Sequence, residues 1–108
     1  MKVLFIGKVA RHQLPLEHIL AMLKGNEKWH DQYLKDGTYD CLYNFVEGGG
    51  IGIANVDSLE AAYDLLTDYP SRILFDWEIF PLVDAKHALD KSISRIETAI
   101  ERQKQRGS

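Results

Sequence analysis

The stretch that decides the fold is Tyr39 to Val56, YDCLYNFVEGGGIGIANV. Tyr39 to Val46 alternates with the two-residue period of a strand: Tyr39, Cys41, Tyr43 and Phe45 fall on one side, Asp40, Leu42, Asn44 and Val46 on the other. Glu47-Gly48-Gly49-Gly50 reads as a turn, and Ile51 to Val56 as a second strand directly after it, so the pair is a hairpin. A glycine run also invites a phosphate-loop reading. That loop needs a helix N-terminus immediately downstream, and here a strand follows. At a sheet end the same glycines can serve as a flap.

Working outward, Asp36-Gly37 stops a helix in which Leu16, Ile19, Leu20, Leu23 and Leu34 recur at helical spacing after Leu14-Pro15, with a candidate kink at Gly25-Asn26. Lys2 to Val9, β-branched and aromatic, is the first strand. Downstream, Asp57-Ser58-Leu59-Glu60 carries a cap candidate followed by Glu. Leu59, Ala62, Tyr63 and Leu66 then continue a helix that closes near Tyr69-Pro70. Ile73 to Leu82 returns to strand, limited by Pro81. Leu89, Ile93, Ile96 and Ile100 mark one narrow stripe on a long polar final helix.

The order is βαββαβ plus a C-terminal helix. It predicts an α+β, ferredoxin-like domain over residues 1–84, with the first and third strands central, and a C-terminal helical extension over 85–108. If the helices cover Phe5, Val9, Tyr43, Phe45, Phe75 and Trp77, the opposite sheet face still presents Leu4, Ile6, Leu42, Val46, Leu74 and Phe80. At roughly 25 cal/mol per Å² that area is costly to leave in water, so a homodimer or higher homo-oligomer, joined sheet to sheet, is expected.

With 108 residues, 45% hydrophobic and 27% charged, the chain fits one folded domain. A net charge of −3 argues against a general phosphate-binding surface, so no nucleic-acid partner is expected. The charge is uneven: Met1 to Asp84 holds 7 basic and 13 acidic residues, net −6, and Ala85 to Ser108 holds 6 and 3, net +3. The last segment is therefore a solvated helix or one lying on an acidic partner surface. No apolar run approaches the ~20 residues of a membrane helix, and Val3 to Ile6 is too short for a signal peptide core, so a cytoplasmic location without membrane contact is expected. The single Cys41 excludes an intramolecular disulfide and reads as a small strand residue rather than a nucleophile. His12, His18, His30 and His87 show no metal-ligand spacing, so no metal is expected.

One local conflict stands out. At 100° per residue from Leu16, the leucine arc of the first helix also contains Glu27 and His30. Burying a carboxylate and an imidazole unpaired costs several kcal/mol. They must pair, meet a sheet residue or face a solvated cavity, unless Gly25 ends the helix and leaves both at the surface. Phe5, Tyr39, Tyr43, Phe45, Phe75 and Trp77 beneath that helix form an aromatic face. Such a face is core filling or the wall of a site for a small cyclic ligand.

Asn55-Val56-Asp57-Ser58-Leu59-Glu60, then Leu65-Leu66, Tyr69-Pro70 and Asp76-Trp77-Glu78-Ile79-Phe80-Pro81-Leu82, resembles the second half of the muconolactone isomerase-like family. Glu27-Lys28-Trp29, Gly37 and Tyr43 fall in the same pattern, so the resemblance runs from Met1 to Asp84. It implies a dimeric α/β barrel, often further oligomerised, and a cofactor-free proton shift in a small lactone. The Gly48 to Gly50 run and the long final helix depart from that pattern.

The reading that follows is a cofactor-independent isomerase or cyclase acting on a small cyclic carbonyl or lactone compound. Glu27 and His30 are its acid and base, Tyr43 or Tyr39 donates to a developing enolate, and Phe5, Tyr39, Phe45 and Trp77 bind the substrate. The alternatives are a cofactor-free monooxygenase or small-molecule dehalogenase of the same fold, and a non-catalytic ligand-binding or dimerisation module.

Overall fold

The computed structural model describes residues 1–107. Strand β1, Lys2–Val9, runs between two antiparallel neighbours, β3, Gly50–Asn55, and β4, Phe75–Leu82, while β2, Tyr39–Asn44, pairs with β3 at the edge. The order β2-β3-β1-β4 puts the first and third strands in the centre, as the sequence predicts. Helix α1, Leu16–Lys35, and helix α2, Leu59–Thr67, are the two crossovers of the ferredoxin-like α+β fold. Ser58 caps α2 by accepting a hydrogen bond from the Ala61 N–H at 3.1 Å.

The hairpin carries the first departure from the sequence reading. Tyr39 lies opposite Ala54, but Cys41 lies opposite Ile53, so Asp40 is the extra residue of a β-bulge. From there on the side chains of β2 are transposed. Tyr39 and Leu42 share the helix side with Gly52, Ala54, Val3 and Phe5, whereas Cys41 and Tyr43 join Ile51, Ile53, Leu4 and Ile6 on the other face. Asp40 is pinned by the cross-strand pair beneath it: Lys2 Nζ donates to its carboxylate, and Asn55 Nδ2 donates to Oδ1 at 2.7 Å. Those donors hold the Asp40 carboxyl below its ordinary range.

Other boundaries also move. β2 ends at Asn44 because Phe45 and Gly48 close the turn, Phe45 N–H donating to Gly49 O at 2.8 Å and Gly48 N–H to Phe45 O at 3.0 Å. Gly48 and Gly49 have φ of 103° and 78°, which only glycine takes without strain. Val46 is consequently a solvent-exposed turn residue, and Leu74 is buried in a single 3-10 turn, Arg72–Leu74; neither belongs to the open face as expected. α1 is one helix through Gly25, with no break there. Its glycine meets Pro70 instead, since an added Cβ would lie 2.9 Å from the Pro70 ring.

The core is Val3, Phe5, Tyr39, Ala54 and Ala62, with Trp29, Tyr33, Leu66, Trp77 and Ile79 packed against it. It occupies only the helix side of the sheet. On the other face Leu4, Ile6, Ile51 and Ile53 are half-buried and Phe80 is exposed. Helix α3, Ala85–Gly107, starts at an Asp84 cap, the His87 N–H reaching Oδ2 at 3.1 Å, and has no buried residue. The radius of gyration is therefore 20.1 Å, against about 13 Å for a close-packed chain of this length. No helix among the described residues is long and apolar enough to cross a membrane.

Two substitutions test this account by urea denaturation. Ser58→Ala removes the α2 cap and is expected to cost about 1 kcal/mol. Asp40→Ala is expected to lower the midpoint at neutral pH. A carboxyl whose pKa is depressed by folding stabilises only while ionised, so the difference from the parent chain should shrink as pH falls through the Asp40 pKa.

Candidate functional site

Between α1, α2 and the helix side of the sheet lies a cavity of about 140 Å³. Two glycines let its walls stand close on the sheet. Gly52 stands where a Cβ would come within 2.7 Å of Leu42 and 3.3 Å of the Tyr39 ring, and Gly7 where one would come within 2.8 Å of the Trp77 indole. Phe5, Tyr39, Phe75 and Trp77 supply aromatic walls, with Phe75 and Trp77 edge to face at 5.5 Å between ring centroids. Gly49 and Gly50 of the hairpin turn close one end.

α1 reaches the cavity with Leu23, Asn26 and His30, three positions along one helix side. His30 Nε2 lies 2.7 Å from the Tyr69 hydroxyl, and the two rings are stacked at an interplanar angle of 11°. Tyr69 stands edge to face with Trp29 and Trp77, which fixes its ring between helix and sheet. Asn26 Nδ2 donates to Ser71 Oγ at 2.6 Å; both side chains are buried, and the Asn26 Oδ1 has no partner. Burial lowers the His30 pKa, which favours the neutral imidazole. Burial also raises both cavity phenols, Tyr39 to about 12 and Tyr69 against a smaller opposing influence from Ser71, so each stays protonated. The site thus combines one neutral acid-base group, two protonated phenols and an aromatic enclosure.

Of the residues singled out from sequence, the structure brings His30, Tyr39, Phe5 and Trp77 together around the cavity. Glu27 is exposed and does not border it, which corrects the expectation that Glu27 and His30 line one pocket as acid and base. The reason is rotation. The side of α1 that packs on the sheet is Ile19, Met22, Asn26, Trp29 and Tyr33, about a quarter turn from the leucine stripe used to orient the helix. Tyr43 reaches only the hairpin rim; the bulge turns its side chain to the opposite face, where it is 67% exposed. Phe45 is in the turn, outside the cavity. Tyr69, Asn26 and Ser71 are not among the site residues read from the sequence, where Tyr69 marks only a helix end and Asn26 only a candidate kink. Asn26 carries a usable signal, a polar residue amid Met22, Leu23, Trp29 and His30 at helical spacing. Among the described residues no three His, Cys, Asp or Glu side chains gather to hold a metal ion.

No family model and no curated protein matches the chain. Solved structures are similar to it. One is muconolactone isomerase, with a TM-score of 0.70 and 16% identity over 78% of this chain and 90% of that one. Another is 5-chloro-2-hydroxyhydroquinone dehydrochlorinase from Burkholderia phenoliruptrix AC1100 in complex with 2,5-dihydroxybenzoquinone, with a TM-score of 0.58 and 16% identity over 81% and 98%. At that identity the likeness is one of architecture: the chain has the ferredoxin-like α+β fold of muconolactone isomerase.

Proposed function

We propose that the chain is an enzyme that shifts a proton on a small cyclic carbonyl compound, as an isomerase or cyclase, without a cofactor. The observation that carries this reading is the half-buried His30, paired with Tyr69 at 2.7 Å on the wall of the aromatic cavity. A volume of about 140 Å³ suits one six-membered ring, since an engineered cavity of roughly 150 Å³ takes benzene. In the tautomer whose Nε2–H donates to Tyr69, the His30 Nδ1 lone pair accepts a proton from carbon beside the carbonyl. The imidazolium then returns that proton to another carbon of the same enolate, so the reaction is redox-neutral and consumes nothing. Tyr39, kept protonated by burial, donates to the enolate oxygen. The open sheet face is covered by a second copy, making the working unit a homo-oligomer.

A second reading has its own support, the likeness to a dehydrochlorinase solved with a dihydroxybenzoquinone. Elimination of chloride begins with the same proton removal, so His30 keeps its role and only the leaving group differs.

Two small cyclic carbonyl compounds serve as probes. 2,5-Dihydroxybenzoquinone should quench the tryptophan fluorescence, Trp77 being in the cavity wall. Muconolactone in D2O should take up deuterium beside its carbonyl. His30→Asn should lower that exchange at least ~10²-fold with the fold retained, and Tyr69→Phe by less, with a shifted pH profile. Binding without exchange would make the chain a ligand-binding module; no binding would move the site elsewhere. Activity should rise with pH through the lowered His30 pKa and level off by neutrality. Stability should follow the same sign. Near pH 6.5 the unfolded chain takes up a proton that the folded imidazole resists, so acidification below about 6.5 destabilises the parent chain more than His30→Asn.

A further inference from the structure

Asn26 is only 8% exposed on the inward side of α1, at helical spacing from Met22 and Trp29, where an apolar side chain would pack at no desolvation cost. Its amide has two ends, and the chain satisfies one of them. Nδ2 donates to Ser71 Oγ at 2.6 Å, whereas Oδ1 is buried and has no partner among the described residues. An unmet buried acceptor is a standing cost that native proteins seldom carry without a use. The direction of the amide supplies that use. Asn26 borders the cavity and the fully buried Ser71 does not, so the Nδ2 end turns away from the cavity and leaves Oδ1 as the end toward it. The Tyr69 hydroxyl on the same side of the cavity is already engaged with His30.

We propose that Asn26 Oδ1 reads a hydroxyl group on the ring that the cavity takes, which makes the substrate a hydroxylated cyclic carbonyl compound; the carbonyl half of that description rests on the proton-shift reading above, the hydroxyl half on Asn26. Charge narrows the donor. An ionised ring oxygen would be repelled by Oδ1, and an amine on a saturated ring is protonated at neutral pH and costly to bury among neutral groups. A neutral hydroxyl remains. Its place on the ring follows from the helix, because Asn26 and His30 are one turn apart on α1, a rise of about 6 Å that is close to the width of one six-membered ring. A ring lying between them sets its hydroxyl edge on Asn26 and its carbonyl edge on His30. A ring without the hydroxyl leaves Oδ1 unmet, and the site discriminates against it for that reason.

The test is binding, followed by NMR on the parent chain, of two neutral ketones of similar size, 4-hydroxycyclohexanone and 4-methylcyclohexanone. Apolar burial alone favours the methyl compound in an aromatic cavity. The parent chain should instead bind the hydroxyl compound at least ~10-fold more tightly, and Asn26→Leu should reverse the order. The side-chain carbonyl carbon of Asn26 in the parent chain should shift on adding the hydroxyl compound and stay in place with the methyl one, a readout that needs no variant to fold. Equal binding, or preference for the methyl compound by the parent chain, overturns the proposal and leaves the proton-shift reading standing. Binding of neither ketone overturns it together with the carbonyl reading on which it rests. A hydroxyl preference that survives in Asn26→Leu, or an unmoved Asn26 signal, also overturns it, because the hydroxyl would then be met by another group.

Discussion

The clamp on Asp40 is the constraint on which the remainder depends. Lys2 and Asn55 face each other across β1 and β3, and together they hold the one residue of β2 that has no partner of its own. Asn55 Nδ2 also reaches the Gly37 carbonyl at 3.1 Å, which ties the bulge to the end of α1. With Asp40 held out of the ladder, Tyr39 and Leu42 both turn under the helices. A regular strand would send one of them to the other face. Tyr39 then packs edge to face with Phe5 and Tyr33, and Leu42 borders the same cavity. An exposed polar cluster on one side of the sheet therefore decides which residues enclose the site on the other.

The cavity walls stand close on the sheet because two positions lack side chains. Gly7 and Gly52 sit on the helix side of the two central strands, and the Trp77 indole and the Leu42 side chain take the room a Cβ would need there. In a fold this small a cavity of about 140 Å³ beside them forfeits dispersion contacts and buried area. It persists because the surrounding rings brace one another: Trp29 with Tyr33 and Tyr69, and Tyr69 with Trp77, at centroid separations of 4.5 to 5.9 Å. The same bracing orients the phenol that meets His30. Packing and chemistry at Tyr69 are thus one arrangement, in which a ring held by aromatic neighbours presents its hydroxyl to an imidazole that burial keeps neutral.

Most of the architecture is legible in the sequence because it rests on periodicity. Alternation marks β2 and β3, helical spacing marks α1, α2 and α3, and the order of elements places β1 and β3 in the centre. Two things are not legible, and each has a physical cause. A bulge depends on side chains from three separate segments, Lys2, Asp40 and Asn55, so strict alternation assigns Leu42 and Tyr43 to the wrong faces. The rotation of α1 is hidden because its most hydrophobic row, Leu16, Leu20, Leu23 and Leu34, is not the row that faces its own sheet. That row draws Glu27 wrongly toward the site, while His30, near the border of both rows, belongs there on either orientation. The aromatic part of the site, Phe5, Tyr39 and Trp77, is legible because large rings on the helix side of the sheet have nowhere else to go.

The outward leucine row is informative about assembly. Apolar periodicity records every surface a residue is selected to cover, including those covered only by another copy, so a helix in an oligomer carries two overlapping stripes. α1 shows both: Ile19, Met22, Asn26, Trp29 and Tyr33 toward its own sheet, and the leucines toward solvent. α3 shows one, and it faces nothing in its own chain. Exposed leucines scattered singly need no explanation, whereas a row of them at helical period stands out from that background. His30 lies where the inward and outward stripes of α1 meet, so its ring borders the cavity on one side and the helix surface on the other, and that partial burial is what lowers its pKa.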